Sequence, residues 1–165
     1  MSSFRSVDTV RALALIDSGE DDDTVCVGQG DDIVIGSLGR DVLFGEGGID
    51  RFIFLRVADS PVGGAVRGAI RDFEPGVDYI DLMAIGGGAP DFLGPASFIT
   101  ASGPTVRVVT TAAGSTVVQV DADGDGHGVR DMAILVHFVP PMTADDFLFC
   151  PVAQVQSPAS PPCPA

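Results

Sequence analysis

Aspartate recurs along this chain at a spacing that can hold a cation. From Ser18 the sequence divides into four consecutive nonapeptides, SGEDDDTVC, VGQGDDIVI, GSLGRDVLF and GEGGIDRFI. The sixth residue of each is Asp (Asp23, Asp32, Asp41, Asp50) and the eighth is apolar (Val25, Val34, Leu43, Phe52). The fourth is Gly in three of them (Gly30, Gly39, Gly48), with Asp21 as the exception. Asp accounts for 20 of 165 residues, so three further hits in one column arise by chance on the order of once in five hundred. Carboxylates stacked at a fixed step repel one another unless a cation sits between them. Calcium, which accepts about six to eight oxygens at flexible geometry, suits carboxylates mixed with turn carbonyls.

The elements that must position these carboxylates follow from the same columns. Gly at the fourth position permits the positive φ of a tight turn. The apolar-centred stretch after each Asp is long enough for one short strand that points a single side chain inward. One nonapeptide is therefore a turn plus a strand. Consecutive units stack into a solenoid with an apolar interior and Asp-rich turns along its edge.

These segments resemble the G-G-x-G-x-D-x-U-x repeat of RTX proteins, which builds a calcium-binding β-roll. The resemblance implies that carbonyls of the second and fourth positions and the carboxylate of the sixth hold Ca²⁺. Carried over column by column, the ligands are Gly19, Asp21 and Asp23; Gly28, Gly30 and Asp32; Ser37, Gly39 and Asp41; and Glu46, Gly48 and Asp50. Because two such repeats make one turn of the roll, Asp23 is expected above Asp41 and Asp32 above Asp50. The first unit departs most from the family, with Ser18 and Asp21 where it has glycine. The pattern breaks after Phe54: Asp59 keeps the nine-residue step, but Val57 and Pro61 do not fit.

Beyond Phe54, alternating apolar stretches recur between Gly, Pro and Asp breaks: Val66 to Phe73, Tyr79 to Leu82, Thr105 to Thr111, Ser115 to Val120 and Met132 to Phe138. Val106–Val108 and Val117–Val120, joined through Ala112-Ala113-Gly114, read as a hairpin. Thr143 to Asp146 can open a short helical turn. The fold class is all-β, a parallel β-roll of nonapeptide repeats followed by a mostly antiparallel, β-sandwich-like cap. The expected organisation is a lead-in over 1–17, the roll over 18–54, the cap over 55–149, and a disordered Pro-rich tail over 150–165.

In this second half the order of motifs resembles the C-terminal domain of serralysin-type secreted metalloproteases. The residues that carry it are Asp50-Arg51-Phe52-Ile53-Phe54, Ala69 to Phe73 with Pro75 to Leu82, Val118 to Gly126 leading to Asp131-Met132-Ala133-Ile134, and Met142 to Phe149. The resemblance covers about residues 18 to 149. It implies an extracellular calcium-binding domain that carries the C-terminal signal read by a type I exporter, behind a zinc protease domain. The family's signal ends at its hydrophobic residues, whereas here sixteen residues follow Phe149.

Asp121-x-Asp123-x-Asp125-Gly126 opens like an EF-hand calcium loop. The closing acid of such a loop is replaced by Met132, with Asp131 one residue early. A second calcium site and a plain hairpin turn are both compatible with these residues. Asp72, Asp78 and Asp81 are placed to cap the last turn of the roll, or to form ordinary turns.

Several functions are disfavoured. His127 and His137 are the only histidines and belong to no H-E-x-x-H, and no G-x-S-x-G is present. Cys26, Cys150 and Cys163 fit neither a disulfide framework nor a zinc site. A net charge of −14, with 23 acidic residues against nine arginines, opposes binding to nucleic acid or anionic lipid. No apolar window approaches a membrane span, and the first twenty residues lack the apolar core of a signal peptide. The reading is a calcium-binding RTX module without catalysis of its own, which folds on meeting extracellular Ca²⁺ and is secreted through a type I exporter. Its alternatives are a C-terminal piece of a secreted metalloprotease and a carbohydrate-binding accessory module like those of alginate epimerases. A polyanionic sugar needs a basic face, and nine arginines in so acidic a chain leave little for one.

Overall fold

Each nonapeptide contributes one short strand around its eighth residue, and successive strands alternate between two sheets. In the computed structural model, residues 3–10, 13–86, 88, 90–99, 101, 103–125, 130–137 and 140–149 are described. After β1 (Ser3–Val10) and β2 (Leu15–Asp17), the repeats give β3 (Asp23–Gln29), β4 (Ile33–Ile35), β5 (Val42–Phe44) and β6 (Arg51–Ile53). Pairing is parallel with a step of two repeats: Val25 lies beside Leu43, and Val34 beside Phe52. That step places odd-numbered strands in one sheet and even-numbered strands in the other, which is the β-roll expected from the period.

The parallel stack does not stop where the nonapeptide frame does. β7 (Ala69–Ile70) pairs parallel with β5, and β8 (Tyr79–Asp81) with β6. Longer loops replace the nine-residue turns here, so the ladder continues while the sequence period is lost. Only Ala69–Ile70 of the apolar run 66–73 is strand, because Val66 and Arg67 both donate to the Gly63 carbonyl in a turn just before it.

The remaining strands are β9 (Asp91–Phe92), β10 (Thr105–Thr110), β11 (Thr116–Asp121), β12 (Met132–Val136) and β13 (Phe147–Leu148). β10 and β11 form the expected antiparallel hairpin, β12 adds antiparallel to β11, and β12 meets β7 in parallel. The result is an eight-stranded sheet, β1-β3-β5-β7-β12-β11-β10-β9, and a five-stranded one, β13-β8-β6-β4-β2. A short 3₁₀ turn at Ala144–Asp146 precedes β13.

One core lies between the sheets. The eighth-position side chains Val25, Val34, Leu43 and Phe52 are all buried, and Ile70 and Ile80 extend their column. Full burial of such a side chain contributes about 1.5–3 kcal/mol, so this column drives the coiling. Phe52 meets Phe73 at 6.2 Å between ring centres, and Phe147 packs between Phe92 and Phe149 at the far end. No helix among the described residues is long and apolar enough to cross a membrane.

Candidate metal centre

The turns between the strands hold the acidic residues in one repeated backbone conformation. Positive φ occurs at the second position of every nonapeptide (Gly19, Gly28, Ser37, Glu46) and at every fourth (Asp21, Gly30, Gly39, Gly48). Asp21, Ser37 and Glu46 adopt it without glycine's freedom, at a cost of about 1–2 kcal/mol each. The first unit therefore keeps the turn despite lacking the family glycine.

Neighbouring turns lie in contact. A Cβ added to Gly39 would strike the Asp21 carbonyl, and one added to Gly48 would strike the Gly30 carbonyl. A Cβ at Gly36 or Gly45, the first positions of the last two units, would meet the carboxylate of Asp41 or Asp50.

The sixth-position carboxylates form two ladders with a step of eighteen residues. Asp41 Oδ1 accepts the Asp23 N–H at 3.0 Å, and Asp50 Oδ1 accepts the Asp32 N–H at 3.0 Å. Asp32 Oδ1 in turn accepts the Ala14 N–H at 2.7 Å. Asp78 continues the second ladder by accepting the Asp50 N–H at 3.0 Å. Asp72 receives both the Gly45 and the Glu46 N–H groups, while Asp81 pairs with Arg51. Of the three expected caps, Asp72 and Asp78 thus face the last roll turn and Asp81 lies in the neighbouring strand.

The ladder residues Asp23, Asp32, Asp41, Asp50 and Asp78 are only 1–3% exposed. Asp32 Oδ2 and Asp41 Oδ2 are buried with no hydrogen-bond partner among the described residues. Burial, and then the carboxylates around them, push Asp41 and Asp50 up to about 7, against the lowering effect of the N–H groups they accept. Burial raises Asp78 as well. A buried carboxylate oxygen without a donor is costly, and one bound cation between turns would remove both that cost and the repulsion. The donor set, hard carboxylates beside turn carbonyls, fits calcium and not a thiolate- or imidazole-seeking metal.

The fifth position carries a separate function that the repeat frame did not reveal. Asp22 accepts the Arg40 N–H at 2.8 Å, and Asp31 accepts the Ile49 N–H at 2.9 Å. These exposed aspartates satisfy backbone donors between turns.

A second acidic group lies at the end of β11. Oxygens of Asp121, Asp123 and Asp131 come within 4.8 Å of one another. Asp121 accepts the Gly124 N–H, and Asp131 accepts the Ala122 N–H at 2.8 Å, which folds the loop back. The third carboxylate is thus Asp131, from the beginning of the returning strand. Asp125, the expected third member, is exposed, and its N–H donates to Asp123. The displaced acid next to Met132 was the available signal in the sequence.

Other candidates serve structure. Asp59 accepts the Leu55 and Arg56 N–H groups, and Asp146 accepts those of Gly76 and Thr143. The Cys26 thiol is pushed up by burial and then by Glu46 and Asp72, the reverse of what a nucleophile needs. His127 and the 150–165 tail, with Cys150 and Cys163, lie outside the described residues.

No curated protein matches the chain. Two solution structures share its fold, the AlgE6R2 and AlgE6R3 subunits of the Azotobacter vinelandii mannuronan C5-epimerase. The first is 23% identical with a TM-score of 0.59, covering 94% of this chain and 95% of that one. The second is 21% identical with a TM-score of 0.54, covering 96% of each. The family described as peptidase M10 serralysin C terminal matches residues 9–149, through the roll, the cap and β13. With stacked nonapeptide turns, paired carboxylate ladders and that match over most of its length, the chain belongs to the peptidase M10 serralysin C-terminal family.

Proposed function

We propose that this β-roll is a non-enzymatic calcium-binding module whose folding is completed by extracellular Ca²⁺ after export through a type I system. The observation that carries the reading is the pair of partnerless buried oxygens, Asp32 Oδ2 and Asp41 Oδ2, on carboxylate ladders. The ligands would be the carboxylates of Asp23, Asp32, Asp41 and Asp50 with turn carbonyls of Gly19, Asp21, Gly28, Gly30, Ser37, Gly39, Glu46 and Gly48. The Gly28 carbonyl also accepts the Gly47 N–H at 3.3 Å, which leaves it a second lone pair. Asp121, Asp123 and Asp131 would hold a further ion in the cap.

The mechanism is linkage. At cytosolic calcium the carboxylates repel, and the chain stays loose enough to thread an exporter. Outside, millimolar calcium meets sites in the ~10⁻⁴–10⁻³ M range, and an ion at the tight end of that range adds ~2 kcal/mol of folding free energy. Family membership and the absence of a zinc-protease motif support an accessory rather than a catalytic role. Limited proteolysis in calcium, magnesium and chelator tests this. The reading expects protection of residues 13–149 in calcium alone, and equal cleavage in all three would refute it.

A further inference from the structure

The five-stranded sheet turns an apolar face outward. Ile16, Val34, Phe52, Ile80 and Phe147 of β2, β4, β6, β8 and β13 belong to the core, so their neighbours along each strand point away from it. The register sets those neighbours in two rows across the strands, Leu15–Ile33–Arg51–Tyr79 and Asp17–Ile35–Ile53–Asp81–Leu148. Leu15, on edge strand β2, is 68% exposed, and Ile33, Ile35, Ile53, Tyr79 and Leu148 are half-buried. Arg51 and Asp81, in the middle, neutralise each other as an ion pair. A sheet face left to water ordinarily carries polar side chains, and this one is mostly apolar.

The dimensions of the face select its occupant. Five strands at ~4.8 Å spacing make it about 19 Å wide, and strands of two or three residues make it about 10 Å tall. A stable pairing of two copies buries about 800 Å² on each, several times this area. A single extended segment fits it. Residues 150–165 follow Phe149, which follows β13, the opposite edge strand of the same sheet. Phe149 stacks on Phe147 and packs against the core, which fixes where the chain leaves the sheet. At ~3.3 Å per residue, about six residues cross from β13 to β2.

The composition of 150–165 suits the crossing. It includes Val152, Val155 and five prolines but no charged side chain, in a chain of net charge −14. It can therefore cover apolar surface without burying a charge. Proline removes backbone N–H groups that would need partners there, and it keeps the segment extended at low ordering cost. It also disfavours joining the sheet edge as one more strand.

We propose that residues 150–165 lie as an extended strap across the outer face of the five-stranded sheet, over Leu15, Ile33, Ile35 and Ile53. The covalent link at β13 holds the strap at high effective concentration above that face. None of the side chains assigned to calcium lies on it, so the strap goes beyond the calcium reading.

Elastase cleavage of the full, calcium-loaded chain tests the strap, because elastase cuts after small apolar residues such as Val152, Ala153 and Val155. Cleavage there should be at least ~tenfold slower than in an N-acetylated peptide of residues 150–165, and independent of chain concentration. The I35D/I53D variant, which places two charges under the strap, should be cut within ~twofold of the peptide's rate. Circular dichroism in calcium verifies the sheet in both chains. I35D alone serves if the double variant does not fold, with cleavage at least ~threefold faster than in the wild type expected. Cleavage of the wild type at the peptide's rate, with the sheet formed, would overturn the strap and leave the calcium reading untouched. Protection that persists in folded I35D/I53D, or that grows with chain concentration, would also overturn it, the latter by assigning the face to a second copy.

Discussion

The carboxylate of Asp41 accepts the backbone N–H of Asp23, eighteen residues earlier, through one oxygen and buries its other oxygen with no hydrogen-bond partner among the described residues. The first contact sets the spacing of two roll turns, and the second leaves a donor-free oxygen between them. Asp41→Asn keeps an acceptor for the N–H but replaces negative charge with an amide. The calcium midpoint for folding should rise about tenfold. Asp31→Ala, which removes only an exposed acceptor, should move it roughly twofold or less. Calcium titrations of the two variants compare these effects.

Protonation should partly substitute for calcium. Asp41 and Asp50 titrate at about 7 in the metal-free fold against 3.8 ordinarily. A raised folded value means the fold holds protons that the unfolded chain has released. Their stabilisation is complete below pH ~4 and is lost as pH rises through 7. In chelator, strand content should therefore be greater at pH 5 than at pH 8. In calcium the dependence reverses, because the ion must displace those protons, and its affinity should fall below pH 7. Circular dichroism across pH, with and without chelator, measures both.

Gly48 and Gly76 both have positive φ but differ in surroundings. Gly48→Ala drives a methyl into the Gly30 carbonyl of the turn beneath and should cost at least ~3 kcal/mol. Gly76→Ala meets nothing within 4 Å and should cost ~1 kcal/mol, the backbone conformation alone. Thermal unfolding in saturating calcium separates the two.

The cap ion can be tested apart from the roll. Asp131→Asn should remove one bound calcium and leave the roll's cooperative transition in place, whereas Asp125→Asn should bind as many ions as the wild type. Equilibrium dialysis counts them. An equal loss from both variants would return Asp125 to the site.

The roll was legible because each column has a single physical role. Glycine or its equivalent takes positive φ, Asp stands on the ladder, and one apolar side chain points inward. Val25, Val34, Leu43 and Phe52 are buried as that frame requires. β7 and β8 were not legible as roll strands, since loops of unequal length replaced the nine-residue turns while the parallel pairing continued. The parallel contact of β12 with β7 joins residues far apart in sequence and leaves no local period. Asp131 lies outside the Asp121-x-Asp123-x-Asp125 run, so the run itself pointed to Asp125 as the third acid.

Calcium-driven folding of the roll is the central claim, and a far-ultraviolet circular dichroism titration of the full chain tests it most directly. Calcium should produce strand signal cooperatively, with a midpoint of about 10⁻⁴–10⁻³ M, and magnesium at equal concentration should not. The same strand content in chelator as in calcium would contradict the account.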